Sequence, residues 1–281
     1  MTRAFLLTIV TLAGCAAPAA PEAEGDGWVS LFNGTDLSGW DTYIGPELSE
    51  TGETLPGPPL GLNSDPDGVF SVVEVDGAPA VRISGERGGG LSTVEAYGDY
   101  HLRLQFRWGE AMPWPFKDLR DSGLLYHAVG PHGVDWGFWM RSQEFQIQEG
   151  DTGDYWGVAG GIVDVPARRT EAGDYVYDPG GPLTTFRDGT EVGRHCVKDP
   201  GAERPTGAWN TLELYAVGGT SVHVVNGVVT MVLSNSRQPE GEGTAPLTRG
   251  KLQIQSEGAE VFFRDLEIRP VDRIPPRLLP G

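Results

Sequence analysis

The stretch that decides the fold is His101-Leu102-Arg103-Leu104-Gln105-Phe106-Arg107, in which polar and apolar residues alternate at every position. Successive side chains of a β-strand point to opposite faces, so this pattern predicts a strand with its three apolar residues against a core and its polar residues outward. An amphipathic helix would repeat its apolar residues about every 3.6 positions, and this stretch does not.

The same kind of signal recurs along the chain, and turn-forming residues separate the segments. Residues 221–233 are predicted to form a hairpin around Asn226-Gly227, a pair that accepts positive φ at both central positions. The 41 glycines and 22 prolines disfavour long helices. We therefore predict an all-β sandwich of two antiparallel sheets. Its predicted strands are residues 69–75, 80–84, 100–108, 123–128, 143–148, 210–217, 221–225, 228–233, 251–256 and 261–269.

The first fifteen residues have the layout of an export signal. Arg3 gives a positive start, residues 4–11 are apolar, and Leu12-Ala13-Gly14-Cys15 resembles the lipobox of bacterial lipoproteins. The apolar run is much shorter than the roughly 20 residues that span a bilayer. We expect a cleaved signal that leaves Cys15 lipidated and anchors the protein to a bacterial membrane, facing the periplasm or the exterior.

This interpretation sets the domain organisation. Residues 1–15 are the predicted signal, and residues 16–27, rich in Ala, Pro, Glu and Gly, are a predicted flexible tether. Residues 28–271 are predicted to fold as a single domain, followed by a tail over residues 272–281. With Cys15 assigned to lipid, Cys196 has no partner, so no disulfide is expected within the chain.

The charge of the chain bears on its partners. Its formal net charge is −18, which argues against binding to nucleic acid and against direct contact with anionic lipid. We therefore expect no nucleic-acid partner, and membrane contact through the N-terminal lipid anchor only.

The candidate functional residues lie in Glu144-Phe145-Gln146-Ile147-Gln148-Glu149. In a strand, Phe145 and Ile147 would point into the core while Glu144 and Gln146 point away from it. Glu149 is out of phase by one residue, and a single β-bulge would return it to the face of Glu144. Two carboxylates on one face are what acid/base or nucleophilic chemistry on a sugar requires.

Nearby residues add binding signals. Trp136 and Trp156 lie in loops with polar neighbours, and exposed aromatic faces stack on sugars. Asp151 and Asp154 lie in an acidic, glycine-containing loop and are candidate ligands for a divalent cation such as calcium, although such loops are also common as plain turns. No cofactor is otherwise indicated.

The chain also resembles the bacterial 3-keto-disaccharide hydrolase domain, whose members are similar to concanavalin-like jelly rolls. The resemblance covers nearly all of residues 28–271, in order and with similar spacing. The motifs that carry it are Leu31 to Trp40 (Leu-Phe-Asn-Gly-Thr-Asp-Leu-Ser-Gly-Trp), Leu91-Ser92-Thr93, Tyr97 to Arg107, Asp121-Ser122-Gly123, Glu144-Phe145-Gln146-Ile147, Gly207-Ala208-Trp209-Asn210, Val225-Asn226-Gly227-Val228 and Val261 to Pro270.

The family resemblance implies a route of cleavage. A ketone at sugar carbon 3 acidifies the proton on carbon 2, so a base can remove it, and the resulting enediolate expels the group on carbon 1 before water adds. Glu144, Glu149 and His127 are then the candidates for proton transfer, and Gln146 and Arg141 for orienting or stabilising oxygen atoms. The substrate would be an oligosaccharide or glycoside, with a sugar 3-dehydrogenase as a partner that makes the ketone.

This sequence departs from the family pattern in three places. Asp121 stands where similar proteins often have Asn, and His127 where they have Arg. Gln255-Ser256-Glu257-Gly258 replaces Gln-Asp-His-Gly, and from this place we assign Gln255 and Glu257 to substrate binding. Residues 109–120 and 163–207 are predicted to be insertions that rim the cleft.

Two other functions stay open from the sequence. The spacing of Glu144, Gln146 and Glu149 resembles the Glu-x-Asp-x-x-Glu strand of jelly-roll endoglucanases, which favours a retaining glycoside hydrolase, although Gln146 lacks the charge of the middle Asp. The aromatic residues together with the fold favour a non-catalytic carbohydrate-binding lipoprotein.

Overall fold

A computed structural model of the protein describes residues 27–113 and 119–280. These residues contain twenty β-strands, one 3₁₀ turn (Pro276–Leu278) and no α-helix. The strands are β1 (Val29–Ser30), β2 (Trp40–Ile44), β3 (Gly61–Leu62), β4 (Phe70–Val75), β5 (Ala78–Ile83), β6 (Gly89–Thr93), β7 (Tyr100–Trp108), β8 (Asp121–Val129), β9 (Arg141–Gln148), β10 (Tyr155–Val158), β11 (Ile162–Arg169), β12 (Tyr175–Tyr177), β13 (Leu183–Phe186), β14 (His195–Cys196), β15 (Asn210–Val217), β16 (Thr220–Val225), β17 (Val228–Glu240), β18 (Gly243–Pro246), β19 (Lys251–Ser256) and β20 (Val261–Pro270).

The strands form two sheets. A twelve-stranded sheet runs in the order β12-β11-β17-β16-β15-β7-β20-β5-β4, with β1 beside β20, β13 beside β11 and β18 beside β17. An eight-stranded sheet runs in the order β14-β10-β9-β8-β19-β6-β2-β3. The strand pairings are antiparallel. The predicted all-β sandwich of two antiparallel sheets is confirmed.

The main core lies between the sheets. Leu102, Leu104 and Phe106 of β7 are at most 1% exposed and belong to the same apolar cluster as Phe145 and Ile147 of β9. The alternation of β7 therefore determines which face of the twelve-stranded sheet is inside, and the alternation of β9 does the same for the other sheet.

The predicted hairpin is also present. Val225 of β16 pairs with Val228 of β17, and Asn226 and Gly227 between them have φ of 51° and 81°. Positive φ at both central residues is what a two-residue hairpin turn requires.

Residues 163–207 are more than the rim insertion that the sequence predicted. They contain most of β11 and all of β12, β13 and β14, which add strands to both sheets and cover a second apolar cluster. Ile274, in the predicted tail, is 8% exposed and packs into this second cluster.

No helix in the described part of the chain is long and apolar enough to cross a membrane.

Candidate active site

The strand β9 carries the polar row that the sequence predicted. Phe145 and Ile147 are fully buried in the core, so Glu144, Gln146 and Gln148 lie on the opposite face of the eight-stranded sheet. Glu144 is 5% exposed and Gln146 is 6% exposed, because other parts of the chain cover this face. The row therefore forms the floor of a cleft instead of a solvated surface.

We name this space the polar cleft, a cavity of about 220 Å³. The loop between β8 and β9 contributes one wall, the segment at β10 and β14 contributes another, and the turn after β19 closes the floor. Its lining residues are Asp121, Asp135, Trp136, Trp139, Glu144, Gln146, Gln148, Trp156, Val158, Arg194, Gln255 and Glu257.

Gly123 makes room for the central side chains of the polar cleft. It lies on β8 opposite Gln146, and a Cβ atom there would overlap the side-chain oxygens of Glu144 and Gln255. Any larger residue would have to displace one of these groups. The glycine of the Asp121-Ser122-Gly123 motif is therefore required by the close approach of the two side chains above it.

Asp121 is held in place by two amides of the same strand row. Gln146 Nε2 donates to Asp121 Oδ1 at 3.1 Å, and Gln148 Nε2 donates to Asp121 Oδ2. Burial nevertheless raises the pKa of Asp121 to about 7, and the nearby carboxylate of Asp151 contributes to the rise. Asp121 is thus a carboxyl group that changes its charge near neutral pH.

Glu144 and Glu257 are two further carboxyl groups with a raised pKa. Burial raises the pKa of each well above its usual range, and the negative charge of Asp121 raises both further, while Arg194 acts in the opposite direction. Three carboxyl groups with raised pKa values therefore share one cleft. Such a set can supply both an acid and a base at the same pH.

Two amide oxygens in the polar cleft have no partner. Gln146 Oε1 and Gln255 Oε1 are buried and accept no hydrogen bond from the described residues. An unsatisfied buried acceptor is costly in free energy, and it is stabilised when a ligand donates to it. The polar cleft is therefore built to receive hydrogen-bond donors such as sugar hydroxyl groups.

Arg194 is the cation of the polar cleft. Its Nη1 atom lies 3.1 Å from Asp135 Oδ2, and its guanidinium group lies 5.5 Å from the centre of the Trp156 ring. Trp156 also stacks on His195, with ring centres 4.1 Å apart. Strand β14 therefore orders one wall of the polar cleft. The sequence predicted only that residues 163–207, which contain β14, would rim the cleft.

The structure places most of the predicted binding residues around the polar cleft. Gln146, Trp136, Trp156, Gln255 and Glu257 all line it. Trp136 is 67% exposed and has a φ of 49°, an uncommon backbone conformation for a bulky residue. Arg141 does not line the cleft, because its Nε atom donates to the Ala159 carbonyl oxygen at 2.8 Å.

The predicted position of Glu149 is wrong. The strand β9 ends at Gln148 without the predicted bulge, and Glu149 lines a separate cavity whose other walls come from residues 150 and 198–206. Glu149 Oε2 lies 3.0 Å from Arg120 Nη1, and Thr206 donates to its other oxygen. Glu144 and Glu149 therefore do not form the facing pair that a retaining glycoside hydrolase needs.

The predicted position of His127 is also wrong. A bulge between Tyr126 and Val129 turns its ring into the core, where it meets the edges of Tyr100 and Tyr126. His127 is 1% exposed, and burial lowers its pKa to about 4. A neutral histidine inside the core cannot exchange protons with a ligand in the polar cleft.

The two predicted metal ligands are engaged in ion pairs. Lys198 Nζ lies 2.9 Å from Asp151 and 3.3 Å from Asp154, and His195 Nε2 lies 2.8 Å from Asp154. Across residues 27–113 and 119–280, no group of three or more His, Cys, Asp or Glu side chains could hold a metal ion. The charge of this acidic loop is balanced by Lys198 instead.

Four polar residues that line the polar cleft were not predicted from the sequence. Asp121 and Gln148 could have been found, because the period of two that links Glu144 to Gln146 continues to Gln148, which pairs with Asp121 across the sheet. No signal in the sequence identified Arg194 or Asp135, which come from segments far apart in the chain.

The raised pKa of Asp121 predicts a pH dependence of stability. Between about pH 4 and pH 7 the folded protein keeps a proton on Asp121 that the unfolded chain has already released. The free energy of unfolding should therefore fall as pH rises through this window. In Asp121→Asn this fall should be smaller, as measured by urea unfolding at a series of pH values.

Asp188→Asn, which changes an exposed aspartate in the loop after β13, is the control and should keep the wild-type pH dependence. If Asp121→Asn instead gives a curve parallel to that of the wild type, the raised pKa of Asp121 is refuted.

Comparison with known proteins gives the family of the chain. Residues 27–269 match the family described as the 3-keto-alpha-glucoside-1,2-lyase-like domain. No curated protein matches the chain.

Solved structures also match the chain at low sequence identity. One is a protein of Parabacteroides distasonis provisionally assigned as a glycosyl hydrolase, at 20% identity over 88% of this chain and 95% of that one, with a TM-score of 0.46. A second protein of that organism, with the same provisional assignment, has 14% identity over 87% and 99% of the two chains and a TM-score of 0.47. The carbohydrate-binding module CBM66 of Bacillus subtilis has 7% identity over 71% and 91%, with a TM-score of 0.40.

The family match extends over most of the chain and confirms the resemblance drawn from its motifs. The protein belongs to the 3-keto-alpha-glucoside-1,2-lyase-like domain family.

Proposed function

We propose that the protein hydrolyses 3-keto-glycosides by proton abstraction at carbon 2, elimination of the group on carbon 1, and addition of water. The observation that carries this proposal is the gathering of Asp121, Glu144 and Glu257 in one cleft beside Arg194, with the pKa of each carboxyl group raised by burial. Family membership supplies the 3-keto sugar as the substrate class.

Asp121 is the proposed base. A carboxylate with a pKa of about 7 is ionised in half of the molecules at neutral pH and is a stronger base than an ordinary aspartate. Gln146 and Gln148 hold its two oxygens through their amide groups, so its orientation is fixed before the substrate arrives. In the first step its oxygen takes the proton from carbon 2, and the electron pair moves to the ketone oxygen.

Glu144 is the proposed acid. Burial raises its pKa well above the usual range, which favours the protonated form that an acid needs. As the bond from carbon 1 to the leaving oxygen breaks, this proton passes to that oxygen. Glu257, whose pKa burial also raises well above its usual range, and Arg194 are the groups available to donate hydrogen bonds to the enediolate oxygen.

Addition of water restores the starting state. The water oxygen bonds to carbon 1, one water proton returns to Glu144, and Asp121 gives its proton back to carbon 2. Every proton is thereby accounted for, and the net reaction is hydrolysis of the glycosidic bond without an external oxidant or reductant. The free Oε1 atoms of Gln146 and Gln255 are placed to accept hydrogen bonds from the remaining sugar hydroxyl groups.

The proposed substrate requires an earlier oxidation. We propose that a sugar 3-dehydrogenase supplies the ketone, because the chemistry of the polar cleft contains no step that could create it.

A panel of paired substrates tests this function. The protein should consume 3-keto-glycosides and leave the parent glycosides intact, as followed by chromatography of the released sugar. Glu144→Gln should lower kcat by about 10²- to 10⁴-fold, because the amide has no acidic proton to donate.

The matched control is Glu149→Gln, which makes the same change outside the polar cleft and should keep nearly full turnover. Consumption of the parent glycosides by the wild type would contradict the proposal. Binding of sugars without turnover of either member of a pair would instead favour a carbohydrate-binding protein.

We also propose that Cys15 is lipidated and anchors the protein to a bacterial membrane, and that the protein faces the periplasm or the exterior. Residues 1–26, which hold this motif, lie outside the described residues. In a bacterial host the full chain should incorporate labelled fatty acid and sediment with membranes, and Cys15→Ser should do neither. Labelling that persists in Cys15→Ser, or a wild-type chain without label, would refute the anchor.

A further inference from the structure

A second cavity of about 670 Å³ opens beside the polar cleft. We name it the apolar pocket. The two spaces share Asp121, Trp136, Trp139, Gln148 and Glu257 as lining residues, so they form one continuous binding region. The polar cleft and the apolar pocket are thus the two ends of one region, and Asp121 and Glu257 lie at the boundary between them.

The two ends differ in chemistry. Apart from the shared residues, the apolar pocket is lined by Leu48, Gly52, Thr54, Leu119 and Phe138, and only Thr54 among these has a polar side chain. The polar cleft adds Asp135, Glu144, Gln146, Arg194 and Gln255, together with Trp156 and Val158.

The walls of the apolar pocket are fixed in position. Trp139 Nε1 donates to the Gly89 carbonyl oxygen at 3.2 Å, and Phe138 packs so closely over Gly45 that a Cβ atom there would overlap its ring. Trp136 lies next to Trp139, with ring centres 6.3 Å apart. A preformed apolar surface of this kind is typical of small-molecule sites.

Part of this surface is unusually open. Leu119 is 47% exposed and Trp136 is 67% exposed. Large apolar side chains that are exposed together beside a polar site mark a place where a ligand covers them. A second sugar in the apolar pocket would find few side chains there to pair with its hydroxyl groups, whereas an aromatic ring would contact the wall along its whole face.

We infer that the substrate is a glycoside whose leaving group is a flat, apolar aglycone, with the sugar in the polar cleft and the aglycone in the apolar pocket. This inference rests on the proposed function, because it takes the sugar in the polar cleft as the part that reacts. The bond that breaks then lies between the two ends, beside Asp121 and Glu257.

Binding of unoxidised ligands tests the inference without depending on turnover. Methyl glucoside, benzyl glucoside and a glucose disaccharide carry the same sugar and differ in the group on carbon 1. Calorimetry on the wild-type protein should show benzyl glucoside binding about tenfold to hundredfold more tightly than the other two, because the ring buries apolar area against the pocket wall.

Two variants of the pocket wall locate the effect. Leu119→Ala and Trp136→Ala should each reduce the ratio of benzyl to methyl affinity by about threefold or more. The matched control is Leu62→Ala on β3, which removes a leucine that is 53% exposed outside both spaces and should leave the ratio unchanged. Circular dichroism verifies that each variant is folded.

The outcomes separate this inference from the proposed function. Equal affinities for the three ligands, tighter binding of the disaccharide, or a benzyl preference that survives both wall variants would overturn the inference. If the benzyl preference holds while 3-keto-glycosides are not consumed, the proposed function fails and the apolar pocket remains a ligand site. If 3-keto-glycosides are consumed without any benzyl preference, the inference alone fails.

Discussion

The burial of three carboxyl groups around one cleft is the constraint on which this site depends. Burial makes the charged form of Asp121, Glu144 and Glu257 unfavourable, and the negative charge of Asp121 raises the pKa of the two glutamates further. In the proposed division of protons, Asp121, whose pKa is raised to about 7, is the base, and Glu144, whose pKa is raised well above its usual range, is the acid. The proposed acid and base arise from this division and do not require different residue types.

The surrounding structure maintains this unfavourable arrangement. The core packing of Phe145 and Ile147 forces Glu144 and Gln146 to the opposite face of β9, and Gly123 on the neighbouring strand leaves the space that Glu144 and Gln255 occupy. Arg194 opposes the accumulated negative charge, and Asp135 holds its guanidinium group in place. Part of the stability that core packing provides thus offsets the unfavourable burial of the carboxyl groups, as is common at functional sites.

The fold could be predicted from the sequence to a large extent, because alternation in a strand depends only on local pattern. The predicted bounds of β7, β15 and β19 are those of the structure. The face of Glu144 and Gln146 was predicted for the same reason, and family motifs led to Gln255 and Glu257.

Two errors of the prediction concern a β-bulge. One was assumed after Gln148, where the strand simply ends, while the bulge at His127 was not foreseen and turns that ring into the core. A bulge depends on how two strands pair, and the sequence of one strand alone does not specify this pairing. Arg194 reaches the polar cleft only because β14 joins the edge of the eight-stranded sheet, and such long-range pairing leaves no local signal.

The most direct test of the account follows the hydrogen on carbon 2 of the sugar. A 3-keto-glycoside that carries deuterium at this position should be consumed more slowly than the unlabelled compound, and its product should lose part of the deuterium beyond the loss in a control without protein, because a deuteron on the Asp121 carboxyl group exchanges with water before it returns to carbon 2. This result is expected because the bond from carbon 2 to hydrogen must break before the leaving group departs. Turnover at an unchanged rate, with the deuterium fully retained in the product, would contradict the account, because it would mean that the bond at carbon 1 is cleaved without any proton transfer from carbon 2.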